Sequence, residues 1–169
     1  MKLINRRNTL MLGAGAAIGL TGIGTAQTAF AQTQHTVEML NVHPENPRLR
    51  QVFFPRIQVV QPGDAIVFAA TDRGHNSATI DEMIPEGTEG WDGKINDEVT
   101  VTLDQPGFYG YKCTPHASVG MVGLVIVTGE GMMDNLETAQ GVRQRGRAKG
   151  AWEEIWEEVA ALDLSADAS

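Results

Sequence analysis

The chain has 169 residues, one cysteine and a formal charge of −8. Its length and its 42 % content of apolar residues suit a single domain with its own core, and a lone cysteine excludes an internal disulfide. So acidic a surface argues against nucleic acid or an anionic membrane as a partner.

The N-terminal segment reads as an export signal. Lys2, Arg6 and Arg7 supply positive charge, an apolar Gly/Ala-rich stretch runs from Leu10 to about Ile23, and Ala29-Phe30-Ala31 offers the small-x-small pattern that a signal peptidase cuts. Arg6-Arg7 followed by Asn8-Thr9-Leu10 resembles a twin-arginine signal, with the Sec route as the alternative. The apolar stretch is shorter than the roughly 20 residues of a spanning helix, so residues 1–31 are expected to be removed and the mature chain to begin at Gln32. Gly13-Ala14-Gly15 opens like a dinucleotide fingerprint, but Ile18 stands at the third glycine position and no strand precedes it. Residues 1–31 hold three basic and no acidic residues, which leaves 10 basic against 21 acidic residues in 32–169, a formal charge of −11.

Short β-like runs follow. Thr36–Leu40 alternates apolar and polar residues. Val52 to Val60 is a second run, in which Pro55 signals an edge or a bend. Gln61-Pro62-Gly63-Asp64 has Pro and Gly where a type II turn wants them. Ala65–Ala70, Glu98–Leu103, Phe108–Cys113 and the β-branched Met121–Val127 complete a pattern of strands and turns spaced as in a β-sandwich. After Thr128 the character changes. Asp134 or Asn135 is placed to cap a helix through Gln140. Trp152, Ile155, Trp156 and Val159 then fall at i, i+3, i+4 and i+7, with Glu153, Glu154, Glu157 and Glu158 on the other face, so an amphipathic helix is expected to pack its tryptophans on the sandwich. Ser165–Ser169 reads as a frayed end. No repeat or linker divides residues 32–169, and 130–162 forms a helical extension of that one domain.

The stretch that carries chemistry is Tyr111 to Met121, where Cys113, His116 and Met121 stand in the pattern C-x2-H-x4-M, with His75 lying 38 residues upstream of Cys113. Singly these residues have plainer readings: a loop histidine, a buried thiol, a core methionine. Together, in this order on a β-rich exported chain, a thiolate, two imidazoles and a thioether form the set that holds blue copper, a trigonal His2Cys plane with a weak axial Met. Cu(II) favours tetragonal fields and Cu(I) soft, low-coordinate ones, so such a site suits both and little has to move when an electron passes. On this reading Cys113 ends one strand, the loop carries His116, Met121 opens the next strand, and His75 arrives from another strand end. His35 and His43 lack such a context and read as surface histidines.

The residues Met39-Leu40-Asn41, Pro62-Gly63-Asp64, Gly74-His75-Asn76, Met83-Ile84-Pro85-Glu86-Gly87, Lys94-Ile95-Asn96, Tyr111-Lys112-Cys113-Thr114-Pro115-His116 and Gly120-Met121, with the helical tail, resemble the pseudoazurins, type 1 blue copper proteins of the cupredoxin superfamily. Plastocyanin shares C-x2-H-x4-M but ends soon after the Met strand. The resemblance covers residues 36–162, with a slightly longer loop at His43–Arg50. It implies a mainly β fold, an eight-stranded Greek-key sandwich with two C-terminal helices. It also implies one copper ion cycling between Cu(I) and Cu(II) on His75, Cys113, His116 and Met121, and an Asn76 side chain that ties the ligand loops together at Thr114. By the same resemblance Pro115 is expected in the apolar rim through which electrons leave. The implied role is that of a periplasmic one-electron carrier, not an enzyme, serving a denitrification reductase such as copper nitrite reductase, another periplasmic reductase or a cytochrome c, with no nucleic acid partner and no stable membrane insertion once the signal is gone. Storage or delivery of copper is the alternative. A hydrolase built on Cys113 would need a base and an oxyanion site, and neither stands out. The chain departs from the family around the site: Gly90-Trp91-Asp92-Gly93 lacks the expected lysines, leaving Arg73, Lys112 and Lys94 as the nearby basic residues, with Arg73 and Lys112 placed to meet a partner.

Overall fold

Eight strands and two helices form from residues 32–164, the part of the chain that the structure, a computed structural model, describes. The export signal expected in 1–31 and the chain end at 165–169 lie outside these residues. In the first sheet, Gln34–Val42 (β1) pairs antiparallel with Arg50–Phe54 (β2). The run expected from Val52 to Val60 breaks at the cis Phe54–Pro55 peptide, and Ile57–Val60 (β3) crosses into the second sheet. The Gln61–Asp64 turn follows, with Gly63 at φ 85° where the turn needs a left-handed residue. Ala65–Ala69 (β4) then returns to lie parallel to β1.

The next strand, Ala78–Thr79 (β5), is only two residues long, too short for alternation to register in the sequence. Val99–Thr102 (β6) pairs with β4 to complete the first sheet in the order β2-β1-β4-β6. Gly107–Lys112 (β7) and Val122–Val127 (β8) are antiparallel neighbours in the second, ordered β3-β8-β7-β5, where β3 and β8 run parallel. The expected eight-stranded sandwich is therefore observed.

One core lies between the sheets. Val37 and Met39 from β1, Ile66 and Phe68 from β4, Phe53 from β2, Tyr109 and Tyr111 from β7, and Val125 and Val127 from β8 fill it, and Cys113 and Met121 extend it toward the ligand loops. Close approach matters at Gly123, where a Cβ would overlap the Tyr111 phenol. A second core covers the outer face of the second sheet. Leu136–Gly141 (α1) and Ala148–Ala161 (α2) lie there, and Trp152, Ile155 and Val159 meet Phe108, Leu124 and Ile126. β8 is buried on both faces, which is why its sequence is continuously apolar instead of alternating.

The α2 face is the one read from its periodicity, with Trp156 half-buried and stacked on Trp152. The α1 cap differs from expectation. Asn135 occupies the N-cap position, but its side chain makes no capping bond; its Oδ1 accepts from Phe108 N–H and its Nδ2 donates to Phe108 O, clasping β7. His35 and His43 are not idle surface histidines either. His35 Nε2 lies 3.0 Å from Asp64 Oδ2 and its Nδ1 3.2 Å from Gln58 Nε2. The Nδ1 of His43 accepts from the backbone N–H of Glu45 and Asn46, and its ring meets Phe54 edge-on.

Candidate metal centre

The ligand loop is closed at its neck by backbone bonds. Cys113, just past β7, donates its N–H to Met121 O, and Met121 donates to His116 O. Between them Thr114–Val119 forms a 3-10 helix with Pro115 in its first turn. Three residues make one turn of such a helix, so Cys113 and His116, three apart, face the same way. Gly120 ends the turn at φ 100°, a conformation that costs a residue with a Cβ about 1–2 kcal/mol.

His75 comes from the segment between β4 and β5 and is wholly buried. Its backbone is held by Asn96, whose N–H donates to His75 O and whose Oδ1 accepts from Gly74 N–H. Its ring Nε2 lies 3.0 Å from Asn41 Oδ1, an acceptor-only atom, so Nε2 carries the proton and Nδ1 presents a lone pair. Asn41 is fixed in turn by its N–H to Asp72 Oδ2. These braces on His75, from Asn41, Asp72 and Asn96, have no local signature in the sequence. Asn41 is 34 residues from His75, and only the parallel pairing of β1 with β4 brings them together.

Three donor atoms converge. Cys113 Sγ lies 3.7 Å from His75 Nδ1 and 3.4 Å from His116 Nδ1, and the two nitrogens are 3.1 Å apart. The point equidistant from all three is about 2 Å from each, close to the roughly 2.0–2.3 Å of metal–imidazole and metal–thiolate bonds. The residues therefore fit a small soft-to-borderline metal ion. Met121, joined to Cys113 through its backbone, is fully buried in the same core cluster. Burial, reinforced by the neighbouring His116, lowers the His75 pKa against the pull of Asp72, keeping the ring neutral and able to ligate. Burial raises the Cys113 thiol, against the backbone N–H groups of Asn76 and His116, so ligation must displace its proton.

Asn76 spans the two ligand segments. Its Oδ1 accepts from Thr114 N–H at 2.8 Å, and its Nδ2 donates to Thr114 Oγ1 at 3.0 Å and to Gly93 O at 2.8 Å. At the surface Pro115 and Arg73 are exposed and Lys112 is half-buried, and neither Arg73 nor Lys112 forms a salt bridge among the described residues. His116 is half-buried, whereas His75 and Cys113 are closed off from solvent.

Residues 41–128 match the family of copper binding proteins described as plastocyanin/azurin. Among curated proteins, the chain is 42 % identical to a pseudoazurin of Paracoccus pantotrophus, over 80 % of this chain and 88 % of that one. It is 41 % identical to a pseudoazurin of Methylorubrum extorquens, over 76 % of this chain and 82 % of that one. Among solved structures, a Sinorhizobium pseudoazurin superposes with a TM-score of 0.70 at 43 % identity, covering 76 % of this chain and 97 % of that one.

Proposed function

The chain belongs to the plastocyanin/azurin family of copper-binding proteins, among its pseudoazurins, and from that premise we propose that His75, Cys113, His116 and Met121 hold its copper and that it carries electrons in the periplasm to a denitrification reductase such as copper nitrite reductase. It is an electron carrier with one type 1 copper, not an enzyme. Copper cycling between Cu(I) and Cu(II) supplies the one-electron chemistry.

The observation that carries the ligand assignment is the triangle of His75 Nδ1, Cys113 Sγ and His116 Nδ1. The protein's part is to keep it from moving. Asn41 holds the His75 ring in one tautomer, and Asn76 locks the segment of His75 to that of Cys113, the kind of outer contact that orients ligands. Met121 would be the weak axial donor. His116 is the half-exposed edge, bordered by exposed Pro115 and Val119, an apolar rim against which a partner surface can exclude water. The burial of His75 and Cys113 favours retention of the metal over its delivery.

The export signal expected from the sequence of residues 1–31 supports the periplasm, and no helix among the described residues is long and apolar enough to cross a membrane. Arg73 and Lys112, flanking the rim, support an acidic docking face on the reductase; another periplasmic reductase or a cytochrome c with such a face would serve equally. The visible spectrum of the copper-loaded protein is the test. An intense band from charge transfer between Cys113 sulfur and Cu(II) is expected, absent in Cys113→Ala, while Met121→Leu keeps the band and raises the reduction potential. A band that survives in Cys113→Ala would overturn the ligand set.

A further inference from the structure

A groove of about 900 Å³ opens beside the ligand loop, between the 43–50 loop, β2 with its link to β3, and one face of α2 as far as Glu158. Val119 and Gly120 form its wall at the ligand end, so it is continuous with the rim around His116. Of the ten basic residues in 32–169, four line it: Arg48, Arg50, Arg56 and Arg147. Arg56 is paired with Glu154 and Glu158, which line the same groove. Arg48, Arg50 and Arg147 are exposed and form no ion pair among the described residues.

Three exposed guanidinium groups without an ion pair among the described residues line one groove and belong to neither core, in a domain whose formal charge is otherwise strongly negative. The groove is apolar as well as basic at its edges, where Leu49 is 48 % exposed and Val119 44 % exposed. Guanidinium forks match carboxylates in bidentate geometry, and a carboxylate is the anionic group that a protein surface supplies. Charges beyond about 8 Å are largely screened at physiological ionic strength, so a surface seated in the groove meets these arginines and not the acidic residues on the far side.

We propose that this groove is the grip for an acidic surface segment of the redox partner, its carboxylates against Arg48, Arg50 and Arg147 and an apolar side chain between Leu49 and Val119. The proposal rests on the reading of the protein as a donor to an acidic partner and adds the place where that partner is held. Seated there, the segment sets its parent protein against the adjoining Pro115–Val119 rim, within reach of the His116 edge.

The test uses the reduced, copper-loaded protein labelled with 15N, titrated with acetyl-Asp-Glu-Leu-Glu-Asp-amide and with its neutral counterpart acetyl-Asn-Gln-Leu-Gln-Asn-amide. Only the acidic peptide should shift amides, and the shifts should cluster at 48–56, 119–120 and 147–151. The triple variant Arg48→Glu/Arg50→Glu/Arg147→Glu should lose them, keep the visible spectrum, and pass electrons to an acidic copper nitrite reductase about tenfold more slowly at low salt; Arg48→Glu alone should show part of each effect. Equal shifts from both peptides, or shifts centred elsewhere, would overturn the proposal. So would inorganic phosphate reproducing the peptide's shifts with no change in the transfer rate of the triple variant, which would mark an anion site. Dimers in sedimentation that the triple variant abolishes would give the groove to a second copy of the chain. If Arg73→Glu slows transfer and the triple variant does not, the acidic-partner reading stands and the groove is excluded; if neither slows it, that reading falls too.

Discussion

The ligand end and the helical layer over the second sheet are held by different forces. At the ligand end the fixed contacts are directional: Asn41 on the His75 ring, Asn96 on its backbone, and Asn76 on Thr114 and Gly93. In the helical layer they are areas of apolar surface, with Trp152, Ile155 and Val159 laid on Phe108, Leu124 and Ile126, and two ion pairs from Arg56, to Glu154 and Glu158, at the rim. Hydrogen bonds fix direction but each adds little net stability; apolar burial adds stability roughly in proportion to area and fixes no single atom. The molecule therefore separates what sets the metal geometry from what keeps the domain folded, and variants in the two regions should differ in kind.

The largest effect belongs to the helical layer. Trp152→Ala removes a wholly buried ring stacked on Trp156 and should cost about 3–5 kcal/mol in urea unfolding, with the visible band unmoved. A shifted band would show that the two regions are coupled after all.

Next is Asp64, which has the directional chemistry of the ligand end without a metal. Burial raises its pKa, but the N–H of Thr33, the His35 ring and the N–H of Gln61 together outweigh burial and lower it. A lowered carboxylate stabilises the fold fully above its ordinary value of 3.8 and ceases to do so as the pH falls through the lowered value. Asp64→Asn places an amide N–H against a backbone donor and should cost about 1–3 kcal/mol near neutral pH. The gap between variant and parent should close below pH 3.8; a gap that stays constant down to acid unfolding would mean the charge is not the source.

The smallest effect on folding and the sharpest on the site is expected from Asn41→Ala. It frees the His75 ring to turn, which should weaken copper about 10–100-fold in competition with a chelator and leave the urea midpoint nearly unchanged. A large loss of stability with unaltered copper affinity would reverse the assignment of roles.

The sequence disclosed what is local. C-x2-H-x4-M lies within nine residues, and the α2 face follows from the spacing of Trp152, Ile155, Trp156 and Val159. The β-branched run into Val127 marks a strand buried on both faces. It concealed what depends on distant pairing. Asn41 reaches His75 across 34 residues, and His35 finds Asp64 across 29. Asn135 clasps Phe108 where a cap was expected, because a side chain that can cap a helix can as readily satisfy a strand, and only the packed fold decides which. Arg48, Arg50 and Arg56 of the groove lie close together in sequence, but Arg147 stands 99 residues from Arg48, and only the fold brings it to the same opening.

X-ray absorption at the copper edge of the oxidised protein tests the central assignment most directly. A first shell of two nitrogen donors at about 2.0 Å and one short sulfur at about 2.2 Å is expected, with the sulfur component missing in Cys113→Ala. A shell of nitrogen and oxygen alone in the unaltered protein would contradict it.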